Sequence, residues 1–419
     1  MQTETTNHIT TIKTEKFKTT LIKVSFKALL VRETVTARIL LTNVLRHSSQ
    51  NFTSKKQLNA HLEDLYGASL SISAKKQGAV HVISFYVQMV NEKFLKSAPA
   101  LLIDALKVLG EVVLHPRIEE HRFDAEAVTL EKRLLKEDIE SIYDDKTSYA
   151  VKKMIGNMCE SENFGVSGDG YTSDLAHLNE HTLVDTYQSI LENDEISITV
   201  LGDVKHEEVV HLIHQHFNVK NNVRGQFDPV DREEKEMRTV TAFKEVQRIT
   251  QTKLNIGYRT YTRVTEADYF VLLVVNGVFG AYAHSKLFMN VREKESLCYY
   301  CSSQLDNFKG LMYVYSGLDA AQVDKAIQII DKQLKDMTLG DFTDQELTLA
   351  KKSLINAKRE SLDSASGMLS DLEMGLLLGL TADEFINKIE AVTRSDVQRV
   401  AAKIKKDTVF TLVPQKEVQ

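Results

Sequence analysis

One long segment with a helical pattern occurs twice in the 419 residues of the chain, once in each half. Residues 123–150, FDAEAVTLEKRLLKEDIESIYDDKTSYA, align without a gap with residues 342–369, FTDQELTLAKKSLINAKRESLDSASGML. Both segments carry apolar residues at helical spacing after an Asp or Thr that suits a helix start. A repeat of this length predicts that the fold is built from one unit used twice. The aligned identities include Phe123 with Phe342, Leu135 with Leu354 and Asp144 with Asp363.

Two further pairs of segments occur in the same order in the two halves. TLVD at residues 182–185 and TRSD at 393–396 each open a predicted helix through a capping-box-like start, and the first helix leads into a strand at 196–201. The segments from Ser54 and from Ala283 share an amphipathic helix, a break and a strand. Mixed strands and long helices, joined partly by hairpins, predict the α+β fold class.

The boundary between the halves is predicted at the polar, charged segment NNVRGQFDPVDREEKEMRT, residues 221–239. We therefore expect an N-terminal domain at 1–222, a linker at 223–238 and a C-terminal domain at 239–419. The length agrees with this division, since 419 residues exceed the usual size of one domain.

Composition narrows the class of protein. The net charge of −6 argues against a nucleic-acid partner, because phosphate contacts need clustered Lys and Arg. The three cysteines, Cys159, Cys298 and Cys301, suit a reducing compartment. The N-terminal residues show no apolar signal segment, and the most apolar stretch, 269–283, is too short to span a bilayer. We expect a cytoplasmic protein without a membrane partner.

A motif in the second half points to a family. Residues 276–300, NGVFGAYAHSKLFMNVREKESLCYY, combine a Gly-containing turn, a helix and a strand, with Arg292 and Tyr299 seven positions apart. This run resembles the insulinase/pitrilysin/mitochondrial-processing-peptidase superfamily. The chain is also similar to that family at Asn163-Phe164-Gly165, at Gly202-Asp203-Val204 and along the strand 251–258. The resemblance implies two homologous α/β-roll domains, each a mostly antiparallel sheet packed with helices, in a clamshell-like arrangement.

The resemblance also implies where zinc would be held. Peptidases of this family bind zinc through His-x-x-Glu-His on the first long helix and a Glu on a later helix; two His on adjacent turns hold the ion and the Glu acts as general base. The order of elements puts the slot for this motif at about Leu40–Val44, which offers neither His nor Glu. The later carboxylate is expected near Glu137 or Asp138. We therefore expect no zinc cofactor in this chain.

A second stretch matches the motif letter for letter, at His177-Leu-Asn-Glu180-His181. A zinc site needs both His on one continuous helix, whereas Asn179 and Thr182 indicate a break and a new helix start completed by Asp185. We interpret the stretch as a surface loop. The alternative is a self-sufficient zinc metallopeptidase that uses His177, Glu180 and His181.

Two other groups of residues could carry metal or redox chemistry. His206, His211, His214 and His216 lie on a predicted helix, where a solvated face is favoured over a metal site, although metal binding stays open. Cys298-Tyr-Tyr-Cys301 has the Cys-x-x-Cys spacing but lies in a predicted strand. Because residues i and i+3 of a regular strand point to opposite faces, neither a disulfide nor a redox pair is expected.

Arg292 and Tyr299 are the candidate substrate-binding residues, because the resemblance implies that this pair holds the substrate backbone and stabilises an oxyanion. The family includes two-subunit enzymes in which a degenerate subunit completes the site of a zinc-bearing one. We therefore expect a non-catalytic subunit, not an enzyme by itself, that binds unfolded peptide and partners a zinc-bearing paralogue. A homodimeric, non-hydrolytic peptide-binding scaffold is the other alternative.

Overall fold

The computed structural model describes residues 2–96, 100–217, 227–235 and 239–415. These residues form two compact units, the first made of residues 1–141 and 166–229 and the second of residues 142–165 and 230–419. The sequence-based boundaries remain a prediction of the chain's domains, whereas compactness assigns 142–165 to the second unit. Of the predicted linker, residues 223–226 and 236–238 lie outside the described residues.

The first unit contains a six-stranded sheet in the order β1-β2-β6-β3-β5-β4. Its strands are β1 (Gln2–Thr6), β2 (Ile9–Lys13), β3 (Thr19–Leu29), β4 (Ser69–Gln77), β5 (Val80–Val90) and β6 (Glu195–Gly202). Neighbouring strands run antiparallel except β2 and β6, which are parallel. The central strand β3 buries Ile22, Val24 and Phe26, so apolar burial fixes the register of the sheet.

The second unit repeats this topology in a five-stranded sheet ordered β7-β11-β8-β10-β9. Its strands are β7 (Thr241–Gln247), β8 (Thr252–Arg259), β9 (Cys298–Asp306), β10 (Leu311–Leu318) and β11 (Lys405–Pro414). With β1 set aside, the two sheets correspond strand by strand, and β7 and β11 form the parallel pair. The predicted α+β fold with two homologous, mostly antiparallel sheets is therefore confirmed.

Helices pack on each sheet. Those of the first unit are α1 (Val35–Val44), α2 (Lys55–Asp64), α3 (Leu101–Leu114), α4 (Ala125–Ser141), α6 (Glu180–Asn193) and α7 (His206–His216). Those of the second unit are α5 (Lys146–Met158), α8 (Tyr269–Asn276), α9 (Val323–Leu339), α10 (Asp344–Ser361), α11 (Ala365–Leu378), α12 (Ala382–Ala391) and α13 (Arg394–Ala401). Short 3₁₀ turns span Glu92–Phe94, Asn163–Gly165, Thr172–Ala176 and Ala320–Gln322, and π-helical turns span Gly277–Ala281 and Phe288–Lys294.

The helix starts follow the repeat. α4 and α10 begin at aligned positions of the two 28-residue-long repeated segments, and Thr343 caps α10 through a box with Glu346. The predicted box between Thr393 and Asp396 opens α13. Among the described residues, none of the helices combines the length and apolar character that crossing a membrane requires.

Helix α5 belongs to the second unit although it comes from the first half of the sequence. Its buried Met154 and Met158 share a core with Phe410 and Leu412 of β11. Gly257 of β8 permits this close approach, because a Cβ atom there would lie 2.6 Å from the Met158 sulfur. Any larger side chain at this position would displace the two methionines.

A buried ion cluster fixes the end of α5 in the second unit. The guanidinium of Arg259 donates two hydrogen bonds to Glu162, at 2.5 and 3.0 Å, and a third to Asp407 at 2.6 Å. The ammonium of Lys309 lies 2.8 Å from Glu162 and 2.9 Å from Asp231. All five side chains are almost fully buried. Removing one of them would leave a buried charge without its partner, which destabilises the fold.

Candidate functional site

The first candidate site lies where α1 ends in the first unit. His47 follows the last turn of that helix, and its backbone N–H donates to the Val44 carbonyl at 2.9 Å. Its imidazole Nε2 lies 2.5 Å from Oε1 of Glu131 on α4. The buried face of α4 also carries Val128 and Leu135, so Glu131 occupies a position where the helix otherwise presents apolar residues to the core.

Two cations surround this carboxylate. The Lys55 ammonium lies 3.1 Å from the same Glu131 oxygen that contacts His47. The guanidinium of Arg46 donates to the Ile72 carbonyl of β4, and burial lowers the pKa of Arg46 while the charge of Glu131 raises it. The Glu131 carboxylate therefore contacts one protein cation, Lys55, and feels the charge of a second, Arg46.

This pair offers a second placement for the degenerate motif. If His47 is the final His of His-x-x-Glu-His, the first His position is Asn43 and the Glu position is Arg46. This placement begins three residues after the start of the predicted slot at Leu40–Val44, which stays a prediction, and it continues past the end of α1 at Val44.

The carboxylate expected near Glu137 or Asp138 is not the one that contacts His47. Glu137 is exposed and pairs with Arg133 at 3.3 Å, and Asp138 is exposed as well, whereas the carboxylate that meets His47 is Glu131. The sequence held one signal for it, a Glu in the apolar stripe of α4 formed by Val128 and Leu135.

The residues at this site do not fit zinc. His47 and Glu131 offer two ligands, but zinc sites use three or four. Asn43 supplies no imidazole, and the Lys55 ammonium already contacts the carboxylate. Over the described ranges, no three His, Cys, Asp or Glu side chains are grouped so that they could hold a metal ion.

The letter-for-letter match at His177-Leu-Asn-Glu180-His181 is divided between two elements. His177 ends the 3₁₀ turn Thr172–Ala176, whereas Glu180 is the first residue of α6. The N-cap of α6 is Asn179, whose side chain accepts from the backbone N–H groups of residues 181 and 182. The capping box joins Asn179 to Thr182, so the predicted box between Thr182 and Asp185 was wrong, while the predicted break at 179 is confirmed. His177 and His181 are exposed and do not lie on one helix.

The second histidine group lies on α7. His206 contacts the hydroxyl of Thr6 at 2.8 Å and that of Thr11 at 3.0 Å through its two ring nitrogens. His211 and His214 are exposed on the same helix. Three of these side chains therefore either face solvent or hydrogen-bond to hydroxyl groups, as expected for a solvated helix face.

Arg292 and Tyr299 lie at one end of the second sheet. Arg292 belongs to the π-helical turn Phe288–Lys294, which buried Val291 anchors, and its guanidinium stacks on the Phe288 ring at 4.5 Å. The Arg292 side chain is 42% exposed. Tyr299 lies on the edge strand β9 and is 75% exposed. Both polar ends are thus presented to solvent, so they are accessible to a ligand.

The strand that carries Cys298 and Cys301 is irregular. Cys301 pairs with Ser316 of β10, Tyr300 pairs with Gly317 and Cys298 pairs with Leu318, so Tyr299 is an extra residue of a β-bulge. Since residues 316 and 318 lie on one face of β10, the two cysteines share that face. The prediction that they point to opposite faces was wrong, and the two cysteines are not bridged.

Comparison with known proteins identifies the family. Residues 177–354 match the family model described as "Peptidase M16 inactive domain". The chain is 36% identical to the probable inactive metalloprotease YmfF of Bacillus subtilis, over 97% of this chain and 95% of that relative. The chain belongs to the peptidase M16 family. A solved structure of a conserved protein from Enterococcus faecalis superposes on the M16 chain with a TM-score of 0.92 and 33% identity, covering 98% and 97% of the two chains.

The M16 chain is also similar to a relative named differently. It is 26% identical to the uncharacterized zinc protease YmxG of Bacillus subtilis, over 72% of each chain. The two Bacillus relatives thus carry contrasting names, one of an inactive metalloprotease and one of a zinc protease. The resemblance to the insulinase/pitrilysin/mitochondrial-processing-peptidase superfamily is confirmed by these comparisons.

Proposed function

We propose that this M16 chain is a non-catalytic subunit that binds unfolded peptide and pairs with a zinc-bearing paralogue, to which it donates Arg292 and Tyr299. The observation that carries the proposal is the position of Lys55, whose ammonium lies 3.1 Å from Glu131 at the point where the motif of an active peptidase would hold zinc. A carboxylate that is paired with the Lys55 ammonium and in contact with His47 supports a site that works without its own metal ion.

The exposed pair in the second unit has the chemistry that such a partner needs. Peptide hydrolysis at zinc places negative charge on the former carbonyl oxygen, and preorganised donors stabilise that charge. The guanidinium of Arg292 and the phenol of Tyr299 are donors of this kind. Their exposure of 42% and 75% suits residues that act on a ligand held by another chain.

Peptide binding is proposed at the edge strand β4, which pairs with β5 on one side. An edge strand offers backbone donors and acceptors to an extended peptide, which then becomes an additional strand. Ser69 and Ser71 are exposed on β4, and the Arg46 guanidinium contacts the Ile72 carbonyl of the same strand. The former metal position and the proposed peptide-binding strand are therefore adjacent.

The names of the relatives support a division of labour. One Bacillus subtilis relative is named a probable inactive metalloprotease and another a zinc protease. We infer that the present chain has the first role and that a paralogue in the same cytoplasm carries the zinc.

The test is reconstitution from purified chains. This chain and the zinc-bearing M16 chain encoded in the same genome are prepared separately and mixed, and hydrolysis of an internally quenched, unstructured peptide is measured. We expect a 1:1 complex by light scattering, with little hydrolysis by either chain alone and rapid hydrolysis by the mixture. Full activity of the zinc chain alone, unchanged by mixing, would reject the proposal.

The two alternatives predict different outcomes in the same experiment. A self-sufficient zinc peptidase would hydrolyse the peptide alone and lose zinc when His177 is replaced by Ala. A homodimeric scaffold would form its own dimer and bind the peptide without cleaving it. It would form no complex with the zinc-bearing chain.

A further inference from the structure

Two of the three cysteines meet at the start of β9. Cys298 and Cys301 face residues 318 and 316 of β10, which are separated by two positions along that strand. The span between the two cysteines is therefore about two residues of strand rise, or ~6.6–6.8 Å between Cα atoms, instead of the three residues that the sequence implies. This value lies at the upper end of the ~4.4–6.8 Å range that disulfides bridge.

The surroundings make the two thiols different. Cys301 is 2% exposed and packs in the core of the second unit, whereas Cys298 is half-buried at the edge of that core. A hydrogen bond from Cys301 lowers the pKa of the Cys298 thiol to about 7, burial opposes this, and the hydroxyl of Ser316 and the charge of Arg292 add to the lowering. The same contact and burial raise the pKa of Cys301. Cys298 is thus the thiol that a reagent in solution can reach, and Cys301 is the buried second thiol.

We propose that Cys298 and Cys301 form a redox-active dithiol that a low-molecular-weight disulfide oxidises to an intramolecular disulfide. The modification site consists of two thiols on one face of a bulged edge strand, with the cation Arg292 close enough to favour a thiolate. Cys159 lies at the end of α5 and is fully buried in a separate hydrophobic cluster. It therefore takes no part in the proposed disulfide.

The reaction has two exchange steps. The Cys298 thiolate attacks one sulfur of the small disulfide RSSR, the S–S bond breaks and RS⁻ leaves, so Cys298 carries a mixed disulfide. Cys301 then loses its proton to the released thiolate or to solvent and attacks the Cys298 sulfur, expelling the second RS⁻. The two protein thiols are oxidised by two electrons, and RSSR is reduced to two molecules of RSH.

The geometry predicts a labile bond. Disulfides with an exposed sulfur are reduced more readily than buried structural ones, and Cys298 is only half-buried at the edge of the core. The bond would therefore form and open with the thiol balance of the cell. The loop would enclose Tyr299 and Tyr300, so closure restrains the backbone of the extra residue of the bulge, Tyr299.

The test uses the full chain and oxidised glutathione as the probe. Thiols are counted after denaturation, and a non-reducing peptide map with mass analysis locates the bonds. We expect the loss of two of the three thiols and a peptide in which residues 298 and 301 are joined, with the mass lower by two hydrogens and no covalent dimer. Dithiothreitol should restore all three thiols.

Variants separate the two steps. The variant Cys301→Ser should retain one glutathione on Cys298, because the second thiol is missing. The variant Cys298→Ser should form no disulfide within β9. The control variant Cys159→Ser should close the disulfide as the wild type does. A wild-type chain that keeps three thiols, or that retains glutathione on Cys298 without closing, would overturn the proposal. If Cys301→Ser fails to fold, phenylarsine oxide, which bridges neighbouring thiols, should protect two wild-type thiols from alkylation; protection of none would likewise overturn it.

Discussion

His47 Nε2 and Glu131 Oε1 lie 2.5 Å apart; His47 lies in the turn after α1 and Glu131 on α4, both in the first unit. Lys55 contacts the same carboxylate at 3.1 Å. The arrangement retains a histidine and a carboxylate in contact while surrounding them with fixed positive charge. The Glu131 carboxylate at this site is therefore approached by protein groups alone, His47 and Lys55 in contact and the charge of Arg46 nearby.

Restoring the motif should restore metal binding. In the double variant Asn43→His with Arg46→Glu, residues 43, 47 and 131 supply two imidazoles and one carboxylate, which is the ligand set of a catalytic zinc site. We expect zinc content to rise from well below one to about one per chain, measured by mass spectrometry after dialysis. The single variant Asn43→His, which keeps the Arg46 cation, is the control and should bind less; a double variant that stays metal-free would contradict this account.

The exposed match at residues 177–181 should be dispensable. Because His177 and His181 are exposed and lie on separate elements, the double variant His177→Ala with His181→Ala should change the unfolding free energy by less than about 1 kcal/mol. Zinc content should not change either. Chemical unfolding and metal analysis check both statements. Loss of bound metal in the variant would support the alternative of a self-sufficient zinc peptidase.

Arg292 should matter for the activity of the mixed complex and not for the stability of this chain. We expect Arg292→Ala to lower the kcat of the reconstituted complex by about 100-fold, the usual loss when one oxyanion donor is removed. Arg359→Ala, at an exposed position of α10, is the matched control and should have no effect. Tyr299→Phe should also lower kcat, whereas Tyr143→Phe should not. An unchanged kcat for Arg292→Ala would end the donation model.

Glu162 should be a major source of stability in the second unit. Glu162→Ala leaves the buried cations Arg259 and Lys309 without a shared partner, so the free energy of unfolding should fall by about 3–5 kcal/mol. Glu137→Ala removes an exposed pair with Arg133 and should cost less than about 1 kcal/mol. Urea unfolding measures both, and similar losses for the two variants would show that burial does not govern the cost.

The same residue should make stability depend on pH. Burial raises the pKa of Glu162, but hydrogen bonds from Arg259 and Lys309 outweigh burial, so the pKa lies below its ordinary value. A depressed folded-state pKa contributes stability above the unfolded-state pKa of about 4.3 and loses it as pH falls through the folded-state value. The stability difference between wild type and Glu162→Gln should therefore stay level from about pH 7 to about pH 5 and shrink as the pH falls further towards about pH 3. A constant difference across that range would contradict the assignment.

Local patterns in the sequence were sufficient for the architecture. The aligned segments from Phe123 and Phe342 predicted two like units, and the sheets repeat each other strand by strand. The capping pattern at 393–396 and the break at Asn179 were also predictable, since a helix start depends on residues within one turn of it.

The candidate site was harder to predict, because it depends on contacts between residues that are far apart in the sequence. The pairing of His47 with Glu131 joins positions 84 apart, and the place of Glu131 in the apolar stripe of α4 does not reveal which residue it contacts. The bulge at Tyr299 likewise depends on the register of β9 against β10. A strand predicted from its own residues is regular, so the common face of Cys298 and Cys301 could not be foreseen.

The position of α5 has a consequence for how the chain can be divided. Residues 142–165 are part of the second unit, so the polypeptide passes from one unit to the other three times, after residues 141, 165 and 229. A protease that nicks the chain near residue 230 would produce an N-terminal fragment that still supplies Met154, Met158 and Glu162 to the second core. The two fragments would remain joined as a non-covalent pair, in the manner of fragment complementation.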